Sequence, residues 1–257
     1  MRLRRGALAG CAALATTASL ALSSSAMAVF PNFSDCPTSN PSVIDCVDVQ
    51  SQSGSMEIKG FNVPLDHSLE IRGGLSQPSP GDFSFVPPAG TNGFFAQPVD
   101  VPGGLLGIDL PLPGNAVTAT AQLAGPSSAI QLGPVDASLH APIKLKLSNP
   151  LIGSNCYIGS DAHPVMLNLI TGTTSPPPPN TPISGHGGPL SFDPATATLT
   201  VTGLLDVDNS FAIPGATGCG LGLGLINATI DAKLKLPSAA GNNTMSINND
   251  LALRALQ

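Results

Sequence analysis

The chain has no tryptophan, one tyrosine (Tyr157) and nine phenylalanines in 257 residues. Bases and sugars are commonly held by stacking on aromatic rings, so this scarcity counts against nucleic-acid and carbohydrate recognition. Charge is scarce as well, at 10% of residues, and acids outnumber bases, sixteen Asp+Glu against ten Lys+Arg. No basic stripe is available to neutralise phosphates, and no nucleic-acid partner is expected. The sequence holds no G-x-S-x-G elbow, no H-E-x-x-H pair, no P-loop and no G-x-G-x-x-G that opens a helix. Without these, no catalytic, cofactor-binding or metal-binding residues are assigned.

What is present begins with an address. Arg2, Arg4 and Arg5 precede an uncharged, mostly apolar stretch from Gly6 to Leu22, and Ala26-Met27-Ala28 places small residues where a signal peptidase reads them. Residues 1–28 are therefore expected to be a cleavable secretory signal. A membrane anchor would need about 20 strongly apolar residues, and this stretch is diluted with alanine, threonine and serine. Leu8-Ala9-Gly10-Cys11 also spells a bacterial lipobox, but cleavage there leaves an apolar core shorter than signals use.

Removal of the signal leaves 229 residues with seven basic and sixteen acidic side chains, a net charge of −9. Residues 29–257 are expected to form a single β-rich extracytoplasmic domain, secreted or held in the cell envelope, with no transmembrane segment. Four cysteines survive: Cys36, Cys46, Cys156 and Cys219. An even number in an exported chain reads as disulfides. Of the three pairings that four cysteines allow, Cys36 with Cys46 is favoured as local, which leaves Cys156 with Cys219.

Glycine (28) and proline (26) are scattered throughout, so short strands with frequent turns are expected rather than long helices. The clearest strand runs from Leu139, with apolar residues at 139, 141, 143, 145 and 147 alternating with His140, Pro142, Lys144 and Lys146. Pro142 within it suggests an edge strand or a bulge. Similar alternation occurs at Leu106, Ile108, Leu110 and Leu112, at Leu199 and Val201, and at Met245, Ile247, Leu251 and Leu253. Weaker candidates are Met56 to Val63, Leu69 to Arg72, Phe83 to Val86, Val117 to Leu123 and Val165 to Ile170. The expected fold is mainly β, an antiparallel sandwich or barrel of about ten strands.

The segment Leu223 to Leu236 fits two readings. Ile226, Ala228, Ile230, Ala232, Leu234 and Leu236 alternate as a strand, while Ile226, Ile230 and Leu234 stack at i, i+4, Asp231 and Lys235 sit at an ion-pair spacing and Pro237 supplies a stop. At most one short helix near 223–235 is expected, narrowly preferred over the strand. Between Thr171 and Gly188 the four prolines Pro176 to Pro179 favour an extended conformation, read as a stiff surface connection or a recognition arm. The alternating glycines Gly218, Gly220, Gly222 and Gly224 read as turns, not as a nucleotide cradle.

Four histidines, His67, His140, His163 and His186, are the only candidates for a general base near neutral pH. An extracellular hydrolase would use His163 or His186 with a distant serine and aspartate. Asp206-Val207-Asp208-Asn209 could place oxygens near calcium, but reads better as a solvated strand end or turn.

Several phrases resemble a family of secreted proteins from high-GC actinobacteria. They are Ser148-Asn149-Pro150-Leu151-Ile152-Gly153-Ser154-Asn155-Cys156-Tyr157-Ile158-Gly159-Ser160, Thr171-Gly172-Thr173-Thr174-Ser175-Pro176-Pro177, the stretch from Phe211 to Gly220 and that from Leu236 to Asn243. The resemblance covers about the C-terminal half. It implies an envelope or extracellular setting and groups the Cys156 and Cys219 phrases in one module; the family carries no assigned function, so no catalytic residue transfers. The leading expectation is a non-enzymatic structural or binding protein, with an envelope component or an apolar ligand as partner. If the ligand is a lipid, the strand faces should enclose a continuous cavity of about 300 Å3 or more.

Overall fold

The computed structural model describes residues 29–80, 82–104, 114–125, 130–132, 137–220 and 224–256. The signal segment with Cys11 and the alternating stretch from Leu106 to Leu112 lie outside the described residues. In chain order the strands are β1 (Asp45–Ile58), β2 (Phe61–Pro64), β3 (Leu69–Ser79), β4 (Asp82–Val86), β5 (Phe94–Ala96), β6 (Val99–Asp100), β7 (Thr118–Leu123), β8 (Ile130–Leu132), β9 (Ala137–Ser148), β10 (Cys156–Ile158), β11 (Val165–Ile170), β12 (Leu190–Asp193), β13 (Thr198–Asp208), β14 (Ala216–Thr217) and β15 (Asn243–Ala255). The helix α1 spans Leu225–Leu234. The mainly-β expectation holds, with fifteen strands among the described residues rather than about ten.

All pairings are antiparallel, and they join the strands into one curled sheet in the order β11-β13-β15-β1-β3-β4-β8-β9-β10-β14. Strand β11 also pairs β9 over six residues, from Val165↔Ile143 to Ile170↔Ser138. The path therefore bends back on itself and makes a half-barrel with one concave face. Its thinnest seam is β11–β13, a single pair at Ile170↔Val207. The strongest wall is β1–β15–β13, where β15 is flanked on both sides along its length.

Period-two alternation predicts the concave face correctly on β9, whose Ala141, Ile143 and Leu147 are buried, and on β15, whose Met245, Ile247 and Leu251 are buried. Pro142 is not on an edge, because β9 is paired on both sides. Its carbonyl accepts the N–H of Ala124. A strand residue points its N–H and C=O to the same side, so the missing donor faces the chain just past the end of β7 at Leu123, where no ladder bond requires it.

The stretch from Met56 to Val63 is a hairpin rather than one strand: Lys59 and Gly60 take positive φ (47° and 85°), and Ile58 pairs with Phe61. The expected helix forms, with Ile230 and Leu234 buried one turn apart. The Asp231–Lys235 ion pair does not form. Asp231 Oδ1 instead accepts the Ala216 N–H at 2.7 Å, while Lys235 is the left-handed cap, and its N–H bonds to the Asp231 carbonyl.

The main core lies on the concave face and includes Ile58, Ile152, Ile158, Ile213 and Met245, with α1 adding Ile230 and Leu234. Both expected disulfides are present: Cys156–Cys219 inside this core, and Cys36–Cys46 on the opposite, convex face. A smaller cluster of Val47, Leu75 and Leu251 packs further along the concave face. The proline-rich segment is anchored rather than free. Asn180 donates to the carbonyls of Asn209 and Asn243, both at 2.9 Å, and Thr173 bridges to Ser184.

Candidate functional site

Between the two apolar clusters the concave face leaves a cavity of about 140 Å3. Its walls come from strands distant in sequence: Val49 and Met56 of β1, Leu139 and Ile143 of β9, Leu167 of β11, and Ile247 of β15. Leu234 of α1 also lines it. Nearly all of the lining is aliphatic. This volume is below half of the 300 Å3 expected of a lipid container, and close to that of an engineered cavity of about 150 Å3 that stays dry and binds benzene. The space, which is partly open to solvent, suits a molecule about the size of one six-membered ring.

Two bulges make this face. On β1 the inward residues are Val47 and Val49, then Met56 and Ile58, so the inward set moves from odd to even numbers across a register shift at Ser51/Ser53. On β13 they are Leu199 and Val201, then Leu204, Asp206 and Asp208, with the shift between Val201 and Leu204. An extra residue in one strand of a pair turns every later side chain to the other face. Gly203 takes φ 67° within the β13 bulge, and its N–H is held by Asp250 Oδ1 at 2.9 Å. Both bulges fall beside Asn249 on the central strand β15, which pairs with Ser51 on one side and Leu204 on the other.

The β13 bulge turns Asp206 and Asp208 inward, and their environments differ. Asp208 is saturated: Oδ2 accepts the Asn168 N–H at 2.7 Å, and Oδ1 accepts the N–H and hydroxyl of Ser210. With its oxygens committed to N–H and O–H donors, it is not arranged as a cation ligand. Asp206 lines the cavity at 8% exposure and accepts one bond, from the Asn249 amide to Oδ2 at 2.7 Å. Burial pushes its pKa up to about 6, and the Asn249 bond opposes the shift. The expectation of a solvated strand end at Asp206 to Asn209 is therefore corrected: Asp206, Asp208 and Asn209 are all buried. Among the described residues no group of three or more His, Cys, Asp or Glu could hold a metal ion.

The histidines lie on separate elements. His186 is exposed, bridges its backbone to Leu205, and places Nδ1 3.0 Å from the Gly187 carbonyl. His163, also exposed, meets the Ser160 hydroxyl through its backbone N–H and not its ring. His67 is exposed in the turn between β2 and β3, and His140 lies in β9 opposite Asn168. None of the four lines the cavity.

The convex face carries a second polar cluster. Asp48 and Arg72 are cross-strand partners on β1 and β3, as are Gln50 and Glu70. The segment 29–44 lies over them: the Asn32 N–H bonds to Asp48 Oδ2 at 2.6 Å, Asp35 pairs with Arg72 at 3.1 Å, and Phe33 stacks under Arg254. Burial first, with Glu70 adding to it, raises the Asp48 pKa to about 6 against the lowering effects of the Asn32 N–H and Arg72.

No protein-family model, curated protein or solved structure matches this chain. No described helix is long and apolar enough to cross a membrane.

Proposed function

We propose that this is an exported, non-enzymatic binding protein of the extracytoplasmic space that holds a small apolar molecule inside its curled sheet. The observation that carries the proposal is the aliphatic cavity of about 140 Å3 between the two core clusters. Interiors are close-packed, and voids larger than a water molecule are few and cost stability. A cavity of this size is a loss unless something fills it. The export pattern at residues 1–28 and the two disulfides support the setting, because disulfides persist where thiols are not kept reduced.

The test is calorimetric titration of the mature protein, residues 29–257, with toluene. Saturable binding at one site is expected. The Ala141→Leu variant adds side-chain volume to a 5%-exposed wall position and should weaken binding at least tenfold while keeping the fold. Failure of toluene to bind would overturn the proposal, as would hydrolysis of an ester substrate that disappears in His186→Ala.

A further inference from the structure

The cavity is mainly apolar, and its polar lining residues are Ser68, Glu70, Gln97 and Ser138 together with the adjacent pair Asp206 and Asn249. Asp206 and Asn249 face it from neighbouring strands, and Asp206 Oδ1 accepts no hydrogen bond among the described residues. The cost of this arrangement shows in the alternatives the strand had. Had β13 run without its bulge, the odd phase set by Leu199 and Val201 would have turned Leu205 and Val207 inward and left Asp206 on the convex side, so the bulge has brought Asp206 and Asp208 inward, with Leu204, in place of those apolar residues. Burying an ionised carboxylate that lacks full pairing is expensive. Asp208, two residues along on the same face, has three donors on its two oxygens. Asp206 has one donor, and the residue itself lines the cavity.

We infer that Asp206 Oδ1 is the anchor for a cationic donor on the bound molecule, and that the natural ligand belongs to the class of small ring-bearing amines. This rests on the cavity being the binding site. The ring would fill the aliphatic space, while the ammonium would reach Oδ1 and neutralise the buried charge, with Asn249 holding Oδ2 in place. The pairing is a charge-assisted hydrogen bond in a medium of low dielectric, where it is strongest. The other acidic groups near the site are already engaged: Asp208 as described, and Glu70, which borders the cavity from β3 but pairs with Arg72 of the convex cluster at 3.2 Å.

Three probes of similar shape separate the possibilities: toluene, benzyl alcohol and benzylamine, each titrated into the mature protein at pH 7.5. Benzylamine should bind at least tenfold more tightly than toluene, with benzyl alcohol between them. Asp206→Asn keeps the side-chain shape and should bring benzylamine down to the affinity of toluene without changing toluene binding. Wild-type protein gives a second readout that needs no variant. At pH 5 the carboxyl is protonated and the benzylamine advantage should shrink, while toluene binding stays constant. If toluene and benzylamine bind equally, or the advantage survives Asp206→Asn, the anchor is wrong while the cavity reading stands. If none of the three binds, both fall together.

Discussion

The two faces of the curled sheet differ in what lies over their buried acids. On the convex face, Asp48, Glu70 and Arg72 lie under the chain's own segment 29–44, which brings a backbone N–H, a carboxylate and a disulfide to cover them. On the concave face, Asp206 sits in an aliphatic wall with one amide for company and a void in front of it. The first cluster is covered by the protein itself, although Asp48 Oδ1 is left there without a hydrogen-bond partner. The second is left open to something that is not part of the chain. A buried acid with an unpartnered oxygen is thus not a functional signal in itself; what separates Asp206 from Asp48 is the cavity that Asp206 lines.

The largest expected effect on this contrast comes from the disulfides. Cys156–Cys219 closes a separation of 63 residues within the main core, and Cys36–Cys46 one of 10 on the convex face. Chain entropy puts the first at about 4 kcal/mol and the second at about 3. Denaturant unfolding of the paired Cys→Ala variants should rank them in that order. Only loss of Cys36–Cys46 should release the segment 29–44, seen as faster amide exchange at Asn32.

Next comes pH. Asp206 and Asp48 are held at about 6 in the folded protein against 3.8 for an ordinary aspartate. The folded state binds these protons more tightly than the unfolded state, so their contribution is fully present below about pH 4 and is lost as pH rises through 6. For Asp206 the swing is up to about 3 kcal/mol over that window. Thermal melts at pH 5 and pH 7.5 should show the higher Tm at pH 5, and Asp206→Asn should flatten the difference. A higher Tm at pH 7.5 would contradict this account of the buried acids.

The smallest effect is expected outside both clusters. Lys144 pairs with Asp161 at 2.6 Å, but the Asp161 side chain is 70% exposed, and such pairs contribute about 0–1 kcal/mol. Asp161→Asn should move the denaturant midpoint barely beyond error.

Strands β9 and β15 were legible in the sequence because each keeps one phase from end to end. Strands β1 and β13 were hidden or cut short for the reason that makes the site: a bulge in each reverses the phase midway, so a reader counting by twos loses the face. Asp206 and Asp208 accordingly read as a solvated turn. A signal was present, since Leu199 and Val201 are odd, Leu204 is even, and Gly203 lies between. The partner Asn249, 43 residues away, could not be inferred from spacing at all. The helix was only half legible, because Ile226, Ile230 and Leu234 stack at i, i+4 in a stretch that also alternates as a strand, and its expected ion pair failed because Asp231 serves a backbone N–H of β14 instead.

The central claim is that the curled sheet holds a mainly apolar, ligand-sized space, and a crystal of the mature protein pressurised with xenon tests it most directly. The account predicts a xenon site among Val49, Leu139 and Ile247, absent in Ala141→Leu. Side chains filling that space, with no xenon bound there, would contradict it.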